Sequence, residues 1–312
     1  MQTPLLQSKK WQKLQDDLKE TTVFEQNDDY SYLAIVKNTP FGKYLYVPYG
    51  PCFDVEKGLK NAIRDLSNVA EKNQAFFIRI EPQNRENAKF LTRQANFHGL
   101  TIKKSKDLNP AETWVVDLSD SDEDLKKRLP SRLLRYWRAM DKNGFKIETS
   151  KNPDDIKHLL DLQKKLAKKK KINTFSEDYL KTQLAQDFAT LYLVKKDNKV
   201  VAAGLVFDFK NTRYNLQGAQ DEEYRKFHAT GILTIQLILD AKEKGLKSFD
   251  FWGIAPENAP KNHPWAGFTA FKKTFEGHEV DYCGDYDLIS NTHKYRLYKT
   301  FRKVNRLLRK VK

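Results

Sequence analysis

The sequence predicts a mixed α/β (α+β) fold of two domains, each a mixed sheet flanked by helices. Three observations carry this reading. The chain has 312 residues, room for two domains at about 100–200 residues each. The segment from Leu191 to Trp252 reads strand, strand, strand, helix, strand. The segment from Tyr32 to Ile80 repeats that order in weaker form.

The elements follow from periodicity and punctuation. Tyr32–Val36 and Lys43–Pro48 read as paired strands. Glu56–Ala70 reads as a helix with Leu59, Ile63 and Leu66 on one face, and Ala75–Ile80 as the strand after it. Trp114–Leu118 is a strand, and Asp120–Asp124 supply a cap and an acidic first turn. Leu125–Asn143 is a basic helical region in which Pro130 starts or kinks a helix. Gly144 closes it, Phe145–Glu148 returns as a strand, and a helix runs from Pro153 to the lysine run Lys168–Lys171. That run reads equally as a solvated helix C-terminus or as a polyanion contact. Leu191–Lys196, Val200–Phe209 and Arg213–Ala219 are strands separated by the turns Asp197-Asn198 and Lys210-Asn211. His228–Lys244 has helical spacing at Ile232, Ile235, Leu239 and Ala241. Gly245 ends it as a left-handed cap, and Ser248–Trp252 is the next strand. Hairpins first and a helical crossover last is the core order of the GNAT-type acyltransferase fold. Tyr44–Ile80 and Arg213–Trp252 share it, which points to a duplicated domain. The expected boundaries are 1–111 with 284–312 for the first domain and 112–283 for the second.

Charge narrows the partners. Lys and Arg outnumber Asp and Glu by 56 to 41, a net +15. Folding gains nothing from that imbalance, whereas attraction to nucleic acid or an anionic membrane face does. Cys52 and Cys283 lie far apart and form neither metal spacing nor a disulfide framework, so a reducing compartment is expected. No secretory h-region and no spanning apolar run is visible, which predicts a cytoplasmic location, with peripheral contact at the inner face of the plasma membrane. From Lys294 to Lys312 the chain carries Leu297, Phe301, Val304, Leu308 and Val311 at helical spacing among basic residues. This pattern suits a helix packed on the first domain, an anionic bilayer or RNA.

Most catalytic signatures are missing: there is no G-x-S-x-G, no H-E-x-x-H, no Walker loop and no Cys-x-x-Cys, and no two of the six histidines sit at ligand spacing. No metal and no cofactor is expected. A CoA-using GNAT domain opens its central helix with a Gly-rich loop whose amides hold the pyrophosphate. Here the junction reads YRKFHATGI (Tyr224–Ile232), with Gly231 alone, so the expected donor is not acyl-CoA. The segment Phe249–Gly277 instead brings a strand end, a loop rich in Gly, Pro and Asn, and then Phe271, Lys272 and Lys273. These are groups that stack a base and hold a phosphate, at the carboxyl end of a strand. An activated, large, anionic donor fits, and aminoacyl-tRNA is one. Its ester needs no further activation, only positioning and oxyanion stabilisation.

An ordered set of segments carries a family resemblance: LLQSKKWQKL (Leu5–Leu14), YVPYGPCFD (Tyr46–Asp54), FFIRIEP (Phe76–Pro82), ETWVVDL (Glu112–Leu118), RLPSRLLRYWRAMDKNG (Arg128–Gly144) and DFWGIAPENAPKNHPWAGFTAFKKTFEGHEVDYCGDYDL (Asp250–Leu288). With them the chain resembles the Fem aminoacyltransferases of peptidoglycan cross-bridge synthesis (FemA, FemB and FemX), in a short form without the coiled-coil arm. The resemblance implies two GNAT-like domains, the first completed by the chain's last helix. It implies transfer of an amino acid from aminoacyl-tRNA to the stem-peptide amine of a UDP-muropeptide or lipid II, by a monomer. Phe271-Lys272 falls on the family's Phe-Lys pair, which implies stacking of a terminal tRNA base by Phe271, and a phosphate or oxyanion contact by Lys272, with Lys273 beside them. Tyr214 and Tyr179 fall where the family places tyrosines around the muropeptide. Phe76, Arg79 and Asn173 are expected to line the same cleft, and Lys13 is the candidate for the precursor diphosphate. Read without the family, Tyr214 is a cross-strand residue, Phe271 a core anchor and Arg79 the solvent-facing position of its strand. Two alternatives stay open: a GNAT-type N-acyltransferase with another acyl donor, and a non-catalytic basic module that binds RNA or membrane.

Overall fold

The computed structural model describes residues 3–97, 99–170 and 174–311. The chain divides into two compact units, Met1–Ala111 with Asp281–Lys312, and Glu112–Val280. In chain order the first unit supplies α1 (Lys9–Asp17), β1 (Thr21–Gln26), β2 (Tyr30–Thr39), β3 (Gly42–Val47), β4 (Cys52–Phe53), α2 (Glu56–Lys72), β5 (Ala75–Ile80), α3 (Arg85–Phe97) and β6 (Thr101–Lys104). Next come β7 (Glu112–Asp117), α4 (Asp122–Arg128), α5 (Ser131–Arg138), β8 (Phe145–Ser150), α6 (Ile156–Lys170), α7 (Glu177–Leu184), β9 (Ala189–Lys196), β10 (Lys199–Phe209), β11 (Thr212–Gln220), α8 (Ala229–Glu243), β12 (Ser248–Gly253), α9 (Ala266–Lys272) and β13 (His278–Asp281). The chain then returns to the first unit with β14 (Tyr286–Ile289) and α10 (Thr292–Val311).

The first sheet runs β1-β2-β3-β5-β14-β6, with β4 on β2. Its one parallel step, β3 to β5, is bridged by α2, whose buried face is Leu59, Ala62, Ile63 and Leu66. β14 enters antiparallel between β5 and β6 and sets Asp287 opposite Arg79. Both faces of β5 are covered, so Arg79 is only 1% exposed. Its guanidinium donates to Asp287 from Nε (2.7 Å) and Nη2 (2.8 Å) and to the Ser105 hydroxyl (2.7 Å), with Asp285 3.6 Å away. The expectation of a solvent-facing Arg79 is therefore corrected: strand alternation assumes one wet face, and β5 has none.

Beside this pair, Glu81 and Asp285 are also buried. Glu81 accepts from the Tyr46 hydroxyl (2.6 Å) and the Asn109 side chain (2.9 Å). Burial raises the pKa of both carboxyls, and for Asp285 the neighbouring Glu81 charge raises it further. A raised acid keeps its proton in the folded chain where the unfolded chain releases it. The folded state therefore binds more protons above the ordinary value of 3.8, and stability falls as pH rises through the folded pKa. Asp285→Asn is expected to flatten that decline by about 1.4 kcal/mol per pH unit for each proton removed. Urea denaturation at a series of pH values from weakly acid to weakly alkaline checks this.

The second sheet runs β13-β7-β12-β11-β10-β9-β8. β8 to β11 form an antiparallel meander, and α8 crosses over to place β12 parallel to β11. α8 buries Ile232, Leu233, Ile235, Leu237 and Ile238, apolar on nearly all sides because it lies between the sheet and α5. The expected basic helical region divides at Pro130 into α4 and α5. The expected caps also appear: Gly245 after α8 has φ +76°, and Gly144 before β8 has φ +73°.

Candidate active site

The parallel pairing of β11 and β12 runs only from Thr212/Ser248 to Tyr214/Asp250. β11 continues along β10 to Gln220, while β12 shifts register against β7 between Asp250 and Gly253. Within that irregularity Trp252 adopts φ +64°, held by its N–H donating to Asp250 Oδ1 at 2.7 Å. The strand ends thus part, and the side chains around the parting are Tyr214, Asp250, Trp252 and those of α9. The rings of Tyr214 and Trp252 meet edge to face at 6.2 Å.

The loop after β12 delivers α9 back to this point. The Thr269 hydroxyl accepts from the Ala255 N–H (2.8 Å), and the Lys272 ammonium donates to the Gly253 carbonyl (2.5 Å). Phe271 packs edge to face on Phe275 (5.5 Å) at the border of the second unit's core and remains half-buried. Gly277 closes the turn after α9 against β7: a Cβ there would sit 2.3 Å from the Val115 carbonyl oxygen, so no larger residue fits.

The electrostatics are coupled. Burial pushes the Lys272 ammonium down to about 8, and the Asp250 carboxylate opposes that shift. Asp250 is 3% exposed and is pushed up to about 7 by burial, against the Trp252 N–H, the Lys272 charge and Thr113. At neutral pH this pairs a cation close to losing its proton with an acid that is partly ionised. Such a cation can stabilise developing negative charge in a partly desolvated setting. Asp250 was not among the residues singled out from sequence. Its signal was an acidic residue in the apolar strand FDFWG, where a buried carboxyl costs free energy unless hydrogen bonds, a cation or protonation offset it.

The remaining residues singled out from sequence lie in several places. Lys273 faces Glu279 (3.6 Å) and the Trp114 ring (5.2 Å). Tyr179, on α7, stacks on the exposed Phe175 at 4.9 Å, and burial pushes its hydroxyl up to about 12. Lys13, on α1 in the first unit, is exposed and pairs with Asp17 at 2.7 Å. Phe76 and Arg79 are enclosed in the first unit instead of lining a surface: Phe76 packs with Phe77 and Tyr298, and Arg79 is engaged as described. Asn173 lies outside the described residues. Among the described residues, no group of His, Cys, Asp and Glu could hold a metal ion.

The start of α8 also bears on the donor. His228 caps it at φ +57°, its ring 4.6 Å from Tyr136 of α5. A Cβ on Gly231 would come within 2.6 Å of the Leu133 side chain, also on α5. Burial and the nearby Arg132 lower the His228 pKa. The first turn of α8 is thus packed by α5 and lacks the glycine-rich loop that a CoA pyrophosphate needs.

Two sheets, each an antiparallel meander followed by one helix-bridged parallel step, define a tandem GNAT-like fold. The solved structures agree. FemX superposes with a TM-score of 0.79 over 94% of each chain at 18% identity. The C-terminal domain of a putative lysylphosphatidylglycerol synthetase from Agrobacterium fabrum gives 0.62 over 96% of this chain and 92% of that one, at 17% identity. A tandem GNAT protein from clavulanic acid biosynthesis gives 0.50 over 86% and 84%, at 13% identity. The profile of the FemAB family matches residues 1–96 and 183–303, and the chain belongs to that family. Among curated proteins, the lipid II:glycine glycyltransferase of Staphylococcus epidermidis is 28% identical over 342 aligned positions, 82% of this chain and 81% of the relative. The protein of that name from Staphylococcus haemolyticus is 28% identical over 130, which is 41% of this chain and only 31% of the relative. The match thus spans about a third of the length of some of these relatives.

Proposed function

We propose that the chain is an aminoacyl-tRNA-dependent transferase that adds an amino acid to the stem-peptide amine of a peptidoglycan precursor, UDP-linked or lipid II, in building the interpeptide bridge. The observation that carries this reading is the Lys272 ammonium, drawn to the parted end of β12 between the Gly253 carbonyl and Asp250. In the proposed reaction the acceptor amine nitrogen attacks the carbonyl carbon of the aminoacyl ester. The carbonyl oxygen becomes an oxyanion, which Lys272 stabilises. Collapse breaks the ester C–O bond, the terminal ribose leaves as its hydroxyl with a proton, and the amine nitrogen, having lost a proton, is left as an amide. Phe271 and Tyr214 offer ring faces and edges beside this point for the terminal base and the stem peptide. The glycyltransferase relatives and family membership support the reaction class, and the α5-packed start of α8 favours a donor other than acyl-CoA.

Mass spectrometry of a muropeptide acceptor incubated with aminoacyl-tRNA or with acetyl-CoA tests the donor. A mass gain of one aminoacyl residue with aminoacyl-tRNA alone is expected. An acetyl gain replaces this reading with that of a CoA-dependent N-acyltransferase.

Asp250 has a predicted role here as a positioning residue. Its negative charge raises the Lys272 pKa, so Asp250→Asn removes that support and Lys272 loses its proton at lower pH. The alkaline limb of the transfer rate, which lies near pH 8 if Lys272 must be charged, is expected to move to lower pH in this variant. A pH–rate profile at saturating donor measures the shift; an unmoved limb with a uniformly lower rate assigns Asp250 to holding Trp252 alone.

A further inference from the structure

α10 has two apolar faces, and among the described residues one is buried in the first unit while the other stays largely open. Tyr295 and Tyr298 are buried and pack with Phe76 and Phe77 in the first unit, and the Tyr295 hydroxyl donates to Asp287 at 2.7 Å. Leu297, Phe301 and Val304, spaced by four and three residues, fall on a different face of the helix. They remain 56%, 39% and 47% exposed. Phe301 touches Phe41 edge-on at 5.5 Å and still leaves its outer side open. The sequence continues the stripe at Leu308 and Val311 with the same alternation of four and three. Lys294, Arg296, Lys299, Arg302 and Lys303 are exposed around it, and no acidic residue follows Asp287.

We infer that this face of α10 is a docking surface for an anionic lipid bilayer, lying in the interfacial plane with Leu297, Phe301 and Val304 entering the acyl boundary. Three points on the helix favour this occupant. The stripe is narrow and open, the shape that lies on a surface without crossing it, and no helix among the described residues is long and apolar enough to cross a membrane. α10 itself carries no Asp or Glu to neutralise the cations around the stripe, which fits a negative headgroup layer. The tyrosine face fastens the helix to the folded unit, so docking orders no new segment. This inference stands on α10 alone and is independent of the donor and acceptor proposed above.

Vesicle co-sedimentation of the full chain tests it. Phosphatidylcholine vesicles containing phosphatidylglycerol should bind about tenfold more tightly than phosphatidylcholine alone, with the difference collapsing at high salt. Leu297→Ser with Val304→Ser should weaken binding to the anionic vesicles by about tenfold with an unchanged circular dichroism spectrum, because both side chains are already exposed. Transfer to a soluble UDP-linked acceptor by the same double variant should match wild type, so loss of docking and loss of activity read separately. Equal binding to both vesicle types, or an unaffected double variant, overturns the inference. So does concentration-dependent self-association that the double variant abolishes, which assigns the face to a second copy, or a matching loss of tRNA binding in a gel shift, which assigns it to RNA.

Discussion

Lys272→Ala is expected to lower the turnover of amino-acid transfer by about 10²–10³-fold, the cost typical of deleting one oxyanion-stabilising group. The loss should fall on turnover more than on donor affinity, because the proposed contact gains strength only as negative charge develops on the ester oxygen. The fold should survive. Lys272 is half-buried near the end of a short helix that Thr269 also ties to Ala255, and Phe271 still anchors it on Phe275. Asp250 loses its nearby cation in this variant and responds by keeping its proton to higher pH, so no bare buried charge remains. Lys272→Arg keeps a charge but spreads it over a planar fork, and should recover part of the rate without restoring it. Steady-state kinetics together with a thermal melt separate these outcomes; full activity in the alanine variant removes Lys272 from the chemistry.

Arg79→Ala is expected to destabilise the protein by about 3–5 kcal/mol, a large share of an ordinary domain's stability. The guanidinium sits beside Asp287 and Asp285, with buried Glu81 next to Asp285, and makes two short bonds to Asp287 and one to Ser105. Removing it leaves the Asp287 carboxylate buried with the Tyr295 hydroxyl and without its paired guanidinium, Lys299 being the cation that still acts on it. The strand pairing it supports joins β5 to β14, so the defect should loosen the return of the chain into the first unit. Arg79→Lys should cost less, but not nothing, because an ammonium cannot reproduce the parallel pair of bonds. Urea unfolding measures the effect. A variant as stable as wild type but with a raised KM for the acceptor would instead return Arg79 to the binding residues.

What was legible in the sequence, and what was not, divides by range. The α8 periodicity, the hairpin turns and the Gly245 cap are local signals, and each element lies within a residue or two of its expected place. The Phe271-Lys272 pair was legible because a strand end, a breaker-rich loop and a short basic segment stand in sequence. Arg79 was not: its alternation with Ile78 and Ile80 predicts a wet face, and the carboxylate that dries it lies 208 residues away on β14. The last helix was half legible. Its stripe was visible as a packing face, yet two tyrosines off the stripe, Tyr295 and Tyr298, make the packing contact and leave the stripe open. Asp250 was hidden for a third reason. Its meaning comes from the irregularity that turns Trp252 and from an ammonium on α9, neither of which strand periodicity encodes.

The central claim is that an aminoacyl ester is attacked at the parted end of β12, with Lys272 supporting the oxyanion. The most direct measurement is transfer of a radiolabelled amino acid from charged tRNA to lipid II and to UDP-linked muropeptide, run side by side with wild type and Lys272→Ala. The account predicts labelled precursor from wild type with at least one charged tRNA and about 10²–10³-fold slower labelling by the variant. No labelled precursor with any charged tRNA, or equal labelling by both proteins, would contradict it.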